Sequence, residues 1–522
     1  MSDDETPNET TIPGGTPEPP GVVAPEDEYA RRLGAVEAIR DAGGDPYPVR
    51  FDRDRTAASL HEEFGSLEPG TETGVTVRVA GRLLLIRRQG KLIFATLRDG
   101  TAAIQLFVSQ AEVGEEGMAG FGGLDLGDWV GVEGEVMTTR RGELSVKLRS
   151  FQLLAKSLRP LPDKWHGLSD VDTRFRRRYV DLIVNEDARR VFQIRFAAIS
   201  AIRRFLDSQS FIEVETPVLH PVPGGAAAKP FVTHHNALDM DLFLRIAPEL
   251  YLKRLIVAGF ERVYEIGRVF RNEGLSTRHN PEFTMLEAYQ AYADYTEMMT
   301  LTEELVAHAA REATGSTTVP NPNDPAPHGT GDGQPLDLAP PWPRRTLRDL
   351  IKEHAGVDVH PAMPVGELQK ICDTLEVPYD PKWGPGKLVL EIYEKTTEHA
   401  IVGPIFVLDY PREVSPLARP HRDDPALVER FEVIVAGREL ANAFSELNDP
   451  VDQRHRFEDQ AALAAGGDEE AQPVDDDYLL ALEYGLPPCG GLGVGIDRLA
   501  MLLAGVPSIR EVILFPHLRP QA

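Results

Sequence analysis

Two runs that alternate in the manner of a strand, ERVYEIGRVFR (261–271) and FTMLEAY (283–289), are joined by a loop of charged and turn-forming residues. Successive side chains of a strand point to opposite faces, so this pattern specifies an antiparallel hairpin rather than a helix. It puts Phe283, Met285, Glu287 and Tyr289 on one face and Arg271 at the end of the first strand. An arginine able to grip phosphate thereby joins an aromatic ring and two polar groups over whatever cavity the sheet floors. Taken alone, the segment can also be read as an exposed charged hairpin, and its partners elsewhere in the chain decide between the two.

Two other segments supply such partners. In GGLGVGIDRLAMLLAG (490–505) the glycines Gly491, Gly493 and Gly495 alternate, so one strand face carries no side chains and a flat ligand can lie against backbone. Arg498 follows, on a helix that Asp497 is expected to cap, with Leu499, Leu502 and Leu503 buried and Gly505 as its stop. The glycine spacing is not that of a dinucleotide fold. In RFEVIVAGRELANAFSELNDP (430–450), Asn442, Phe444 and Glu446 share a face, which suits an ammonium group whose alkyl stem must be covered. Glu432 and Glu439 are candidate cation ligands. A turn at Gly437 and Arg438 would leave them about 13 Å apart at ~3.3 Å per residue, too far to share an ion without a bulge or a different turn.

With 522 residues the chain exceeds what one core usually supports. Residues 1–26, rich in Pro, Gly, Thr and acids, are expected to be a disordered tail, followed by a helical segment over 27–70. Five short alternating strands within 71–156, with a Gly-rich segment between the third and fourth, match an OB-fold barrel, a fold that commonly binds single-stranded nucleic acid. The remainder, 157–522, mixes helices and strands, giving an α+β chain. Its helix at 187–209 is expected to be capped by Asp187. Residues 315–343 read as a mobile surface insertion, and a second acidic loop spans 463–475. The net charge of −27, from 82 acidic and 55 basic residues, restricts any RNA contact to local patches. One such patch is TRFRRRY, whose Arg174 to Arg178 face either tRNA phosphates or solvent. Cys372 and Cys489 lack metal or disulfide spacing and read as packing residues. No apolar run approaches the roughly 18 residues of a membrane helix, and MSDDETPNET is unlike a secretion signal, so a soluble cytoplasmic protein is expected.

FIEVETP (211–217), FRNEG with RHNPEFT (270–284) and GLGVGIDR (491–498) resemble motifs 1, 2 and 3 of the class II aminoacyl-tRNA synthetases, in that order. HPVPGGAAAKPFVTHHNALD, LRIAPELYLKRL, EVSPLARP, FSELNDPVDQ, EYGLPPCGGLG and IREVILFPHLRP closely resemble the bacterial lysyl-tRNA synthetases of subclass IIb. The resemblance spans nearly all of residues 27–520. It implies an antiparallel catalytic sheet flanked by helices, and a homodimer with Pro217 at its interface. It implies ATP bound in bent form, with Arg271 on the α-phosphate and the lysine carboxylate, Glu273 and His279 on the nucleotide, and adenine between Phe283 and Arg498. Arg271, Glu273 and Arg498 are the implied catalytic residues, and Glu432 with Glu439 the implied Mg2+ ligands. For L-lysine it implies Gly225 and Glu249 at the α-amino group, and Glu287, Tyr289, Asn442, Phe444 and Glu446 at the side-chain ammonium. In the barrel it assigns Phe94, Gln105 and Glu143 to the uridines of the tRNA(Lys) anticodon.

The residue chemistry agrees with that reading. Attack of a carboxylate on the α-phosphorus of ATP gathers negative charge, which a positioned arginine stabilises without any protein nucleophile. Two carboxylates in the amino-acid pocket repel acidic substrates and leave neutral ones with unpaired buried charge. The alternatives are aspartyl- or asparaginyl-type relatives, a paralogue that modifies a protein, a lysyl-lipid transferase fusion and a non-catalytic RNA-binding relative. FSELNDP and the acidic pair disfavour the first, the retained barrel the second, the absence of apolar spans the third, and the presence of Arg271, Glu273 and Arg498 the last.

Overall fold

The structure, a computed structural model, describes residues 25–162, 168, 170–323, 333–465 and 473–520. Of the tail expected to be disordered over 1–26, residues 1–24 lie outside the described residues and Pro25 and Glu26 begin a helix; the middles of both loops, 324–332 and 466–472, also lie outside them. The chain divides into two compact units, Met1–Gly167 and Leu168–Ala522.

In the first unit, helices α1 (Pro25–Asp41) and α2 (Ala57–Phe64) precede strands β1 (Glu72–Gln89), β2 (Leu92–Arg98) and β3 (Ala103–Ser109). Helix α3 (Gln110–Gly122) follows, then β4 (Trp129–Thr138) and β5 (Leu144–Ala155). The strands close into a barrel in the order β1-β2-β3-β5-β4. Alternation drives closure: Val79, Ile93, Ala95, Leu106, Val132 and Val146 all point inward and are buried, with Phe121 of α3 completing the core. The Gly-rich segment between the third and fourth strands is thus a helix, interrupted only at Gly114, whose φ of 71° a residue with a side chain seldom adopts.

The second unit opens with α4 (Val171–Arg176), α5 (Arg178–Val184) and α6 (Glu186–Ser208), then β6 (Ile212–Glu213), β7 (Leu219–His220), β8 (Val232–His235) and β9 (Met240–Leu244). Next come α7 (Glu249–Val257), β10 (Arg262–Phe270), β11 (Glu282–Ala291) and α8 (Tyr295–Thr314). The segment after α8 contains β12 (Thr318–Val319), β13 (Leu336–Asp337) and β14 (Arg344–Thr346), followed by α9 (Leu347–Ala355), α10 (Val365–Thr374), α11 (Pro385–Thr396) and β15 (Ile405–Leu408). The chain ends with β16 (Arg430–Val435), β17 (Arg438–Ser445), α12 (Pro450–Ala465), α13 (Asp476–Glu483), β18 (Cys489–Gly495), α14 (Ile496–Ala504) and α15 (Ile509–Val512).

Eight strands form one sheet in the order β14-β15-β16-β17-β18-β11-β10-β6. Its central pairs are antiparallel, and parallel pairs occur only at its two ends. Helices α6, α8 and α14 cover one face, where Ile202, Leu305 and Leu503 pack on Leu286, Ala441 and Val494. The period-two pattern therefore sends Glu287, Tyr289, Asn442 and Phe444 to the other face.

Several local expectations are corrected. Asn185, not Asp187, caps α6, accepting from the backbone amides of Asp187 and Ala188. Gly495 precedes α14 as its cap residue, and Asp497 instead accepts from Arg195 at 2.6 Å and from the Thr284 amide at 2.6 Å. The described ends of the 315–343 insertion are anchored rather than loose: Val319, Leu336, Leu338 and Trp342 are buried, because β12 and β13 pair against the α8 side of the core. Arg178 of the TRFRRRY run is fully buried, 2.7 Å from Asp181 and stacked on Phe175 and Phe192, so it faces neither solvent nor phosphate. Arg174 and Arg176 pair with Asp181 and Asp172.

Candidate active site

The glycine strand organises the site. Gly493 pairs with Glu287 on one side and Asn442 on the other, and Gly491 likewise with Tyr289 and Phe444. Adjacent strands lie about 4.8 Å apart, so these side chains form two walls about 10 Å apart over a floor of bare backbone. A Cβ at Gly491 would collide with the Glu446 carboxylate and sit 2.7 Å from Tyr289 Cε1, which is why the strand carries none there.

One end of this slot holds the acidic pocket. Glu249, first residue of α7, is buried, and Gly225 (φ 90°) packs so closely that a Cβ would lie 3.1 Å from the Glu249 Cβ. Tyr289 donates its hydroxyl to Glu287 at 3.1 Å. Burial and the Glu249 charge push the Glu287 carboxyl up to about 8. Burial also raises Glu446, with Lys253 pulling the other way. One carboxylate oxygen of Glu446 is held by the Lys253 ammonium, and the other has no hydrogen-bond partner among the described residues. A buried carboxylate in that condition is a receptor for cations.

The other end is cationic. Arg271 follows β10, lies 5.2 Å over the Phe283 ring and leaves its Nε without a hydrogen-bond partner. Burial lowers its pKa while Glu273 and Glu439 counter the effect, and a guanidinium remains charged regardless. Arg498 lays its aliphatic stem over Gly495. In the loop between β10 and β11, His279 takes part in a 3.1 Å hydrogen bond with Ser276, and partial desolvation of its ring together with Arg498 lowers its pKa.

The register of β16 and β17 resolves the problem of Glu432 and Glu439. The turn sits at Ala436 and Gly437, both with positive φ, rather than at Gly437 and Arg438. The ladder shifts between Val433 and Ile434, so Leu440 and Ala441 both enter the helix-covered core. Glu439 now lies opposite Ile434, two residues from Glu432, or about 6.6 Å along the strand. Their charges interact: burial and Glu439 push Glu432 up to about 7. Burial would raise Glu439 too, but Arg498 and Arg430 carry it below its ordinary value. Among the described residues no group of three acidic, histidine or cysteine side chains forms a ready-made metal cage. Magnesium characteristically uses one or two carboxylates and completes its shell with water and substrate phosphates, so this pair fits it.

In the barrel, Phe94 and Gln105 occupy the outward face of neighbouring strands, half-buried, with Thr96 opposite Gln105. Gln105 donates to Ser145 at 2.9 Å, and Ser145 to the Glu143 backbone carbonyl at 3.1 Å, which links Gln105 to the Glu143 main chain. Phe107 meets Phe94 edge-on, with centroids 5.5 Å apart, and extends the aromatic surface. Its alternate placement in AAIQLFVSQ was the available signal for it.

Residues 170–519 match the family of class II tRNA synthetases (D, K and N), and residues 77–154 the OB-fold nucleic acid binding domain. The chain belongs to the class II tRNA synthetases. Among its relatives is a lysine–tRNA ligase of Moorella thermoacetica, 53% identical over 95% of this chain and 99% of the relative. Another, from Pelotomaculum thermopropionicum, is 53% identical over 92% of this chain and 93% of the relative. The lysine–tRNA ligase of Nostoc punctiforme is 50% identical over 95% and 88%. In this class II synthetase two further residues shape the site. Arg430 holds Asn442 at 3.0 Å and Glu432 at 2.7 Å, while Lys253 bridges Glu249 and Glu446. The Glu249–Lys253 spacing of four on one helix was the sequence signal for the second.

Proposed function

We propose that this chain is a lysine–tRNA ligase, which activates L-lysine with ATP and transfers it to the 3′ end of tRNA(Lys). The carrying observation is the acidic end of the slot: three buried carboxylates, Glu249, Glu287 and Glu446, around a glycine floor. Lysine brings two ammonium groups to it, the α-amino group toward Gly225 and Glu249 and the side-chain ammonium toward Glu287, Tyr289, Asn442, Phe444 and Glu446. An aspartate reading requires a free cation instead. The buried cation nearest these carboxylates, Lys253, is already paired with two of them.

The lysine carboxylate then lies toward Arg271, facing the ATP α-phosphate. It attacks phosphorus, pyrophosphate leaves, and the lysyl-adenylate forms; a ribose hydroxyl at the tRNA 3′ end next attacks the carbonyl and AMP leaves. Arg271 steadies the charge gathering on the phosphoryl oxygens, in a site where water no longer screens it. Phe283 and Arg498 take the adenine, and Glu273 with His279 orients the nucleotide. Glu432 and Glu439 would hold Mg2+, which supplies further charge neutralisation on the phosphates. The half-buried Phe94 stacks on anticodon uridines, with Gln105 and Glu143 on their edges. Around Pro217, Ile212, Val218 and Leu219 are exposed apolar side chains, suited to a homodimer interface. No described helix is long and apolar enough to cross a membrane, and we assign the protein to the cytoplasm, where its tRNA substrate is charged.

The test is ATP–pyrophosphate exchange with each amino acid, followed by aminoacylation of total tRNA. Exchange and charging with lysine are expected. Exchange with aspartate or asparagine in place of lysine overturns the assignment.

A further inference from the structure

Lys253 is the residue of this pocket that the lysine-ligase reading does not use. Its side chain is fully buried, its ammonium lies 2.6 Å from Glu249, contacts Glu446 and stands 5.4 Å over the Phe444 ring. It therefore occupies an ammonium cage built from three residues that the substrate also needs. Unpaired, a buried lysine would lose its proton; here Glu249 and Glu446 outweigh burial and hold Lys253 charged.

A charge count shows what this accomplishes. Counted with every group ionised, Glu249, Glu287 and Glu446 against Lys253 and Arg271 carry one negative charge in excess, a state that burial opposes in the empty pocket by raising Glu287 and Glu446. A lysine substrate, with two ammonium groups and one carboxylate, makes the total zero. Neutral and acidic amino acids leave the imbalance in place or enlarge it.

We propose that Lys253 is a specificity-determining positioning residue, a built-in counter-cation that keeps Glu446 available as a carboxylate for the side-chain ammonium of the substrate. This rests on the lysine-ligase reading. Without Lys253, two buried carboxylates face each other, one takes up a proton, and the pocket loses an acceptor for an ammonium. The groups facing this pair are Glu249 on α7, Glu287 and Tyr289 on β11, Tyr478 on α13 and Cys489 on β18, with Arg271 beyond Glu287 and Arg254 beyond Tyr478. The tyrosines and the cysteine are all shifted upward by burial and stay neutral across the working range.

The experiment is lysine-dependent ATP–pyrophosphate exchange between pH 6 and 8.5 in the full-length protein, with wild type, Lys253→Met and Lys253→Arg. Lysine exchange by the wild type tests the function itself; the variants test Lys253. Lys253→Met is expected to raise the lysine KM at pH 7 by about tenfold or more, the size of one lost charge contact, with the ATP KM unchanged. Its fall in lysine KM with rising pH moves to higher pH, whereas Lys253→Arg keeps the wild-type profile. A Lys253→Met profile parallel to wild type, or one that Lys253→Arg reproduces, overturns the proposal. Should Lys253→Met fail to fold, Lys253→Met with Glu249→Gln restores the charge count. Its lysine KM should then rise by a factor independent of pH, and a displaced profile overturns the proposal equally.

Discussion

Arg498 donates from one guanidinium nitrogen to both the Glu439 carbonyl, at 2.8 Å, and the Glu439 carboxylate, at 2.9 Å. The cation assigned to adenine is thus tied to the strand that carries an assigned metal ligand. Nucleotide and cation binding are expected to fail together when Glu439 is changed. Glu439→Gln should lower exchange kcat/KM by about 10²-fold, the typical cost of one lost electrostatic group at a phosphoryl centre. It should also raise the magnesium concentration needed for half-maximal exchange. A magnesium titration of exchange in wild type and variant checks this; an unchanged requirement removes Glu439 from the cation site.

Gly491 separates Tyr289 from Phe444, and a methyl group there runs into Glu446. Gly491→Ala should cut lysine-dependent exchange by about 10²-fold or more, because displacing bound groups by about 1 Å costs that much. ATP binding, measured by titration without lysine, should be nearly unaffected. Retention of the lysine KM would show that the slot floor is not where the amino acid lies.

Glu287 gives the empty pocket a defined pH response. Its carboxyl is pushed up from 4.5 to about 8 by burial and Glu249, so the folded chain holds this proton more tightly than the unfolded one. The stability contribution is complete below about pH 4.5 and is lost as pH rises through about 8. Without lysine, Glu287→Gln should therefore lose less Tm than wild type between pH 6 and 8.5, as read by calorimetry. Equal losses would place the titrating group elsewhere.

Phe94 lies on β2 of the barrel, and the role proposed for it is anticodon stacking rather than adenylate chemistry. Phe94→Ala should lower kcat/KM for tRNA by about tenfold to a hundredfold, from stacking worth ~1–3 kcal/mol per base, and leave ATP–pyrophosphate exchange unchanged. Parallel charging and exchange assays measure both. Loss of exchange as well would mean that the ring supports the fold rather than the anticodon.

Much of this was legible from alternation alone. Period two in 261–271, 283–289 and 490–495 already placed Glu287, Tyr289 and the glycines on one face, because strand geometry permits no other arrangement. The barrel followed from five such runs. What alternation could not supply was register, since a one-residue shift changes which groups meet. The turn at Ala436 and the bulged Leu440 determine that Glu439 approaches Glu432, and neither is marked in the sequence.

Charge partners were the other gap. Arg178 in a basic run, Asp497 at a helix start and Lys253 in a helix all look like surface or capping residues when only neighbours in sequence are considered. Each is buried: Asp497 and Lys253 find counter-charges far along the chain, in Arg195 and Glu446, while Arg178 pairs with nearby Asp181 but is enclosed by Phe175 and Phe192. The sequence by itself determined which faces the chemistry-bearing side chains occupy, as this depends only on local backbone periodicity. Tertiary structure alone decided which charges stand within reach of one another, because Coulomb interaction in a dry interior depends on distance through space and not along the chain.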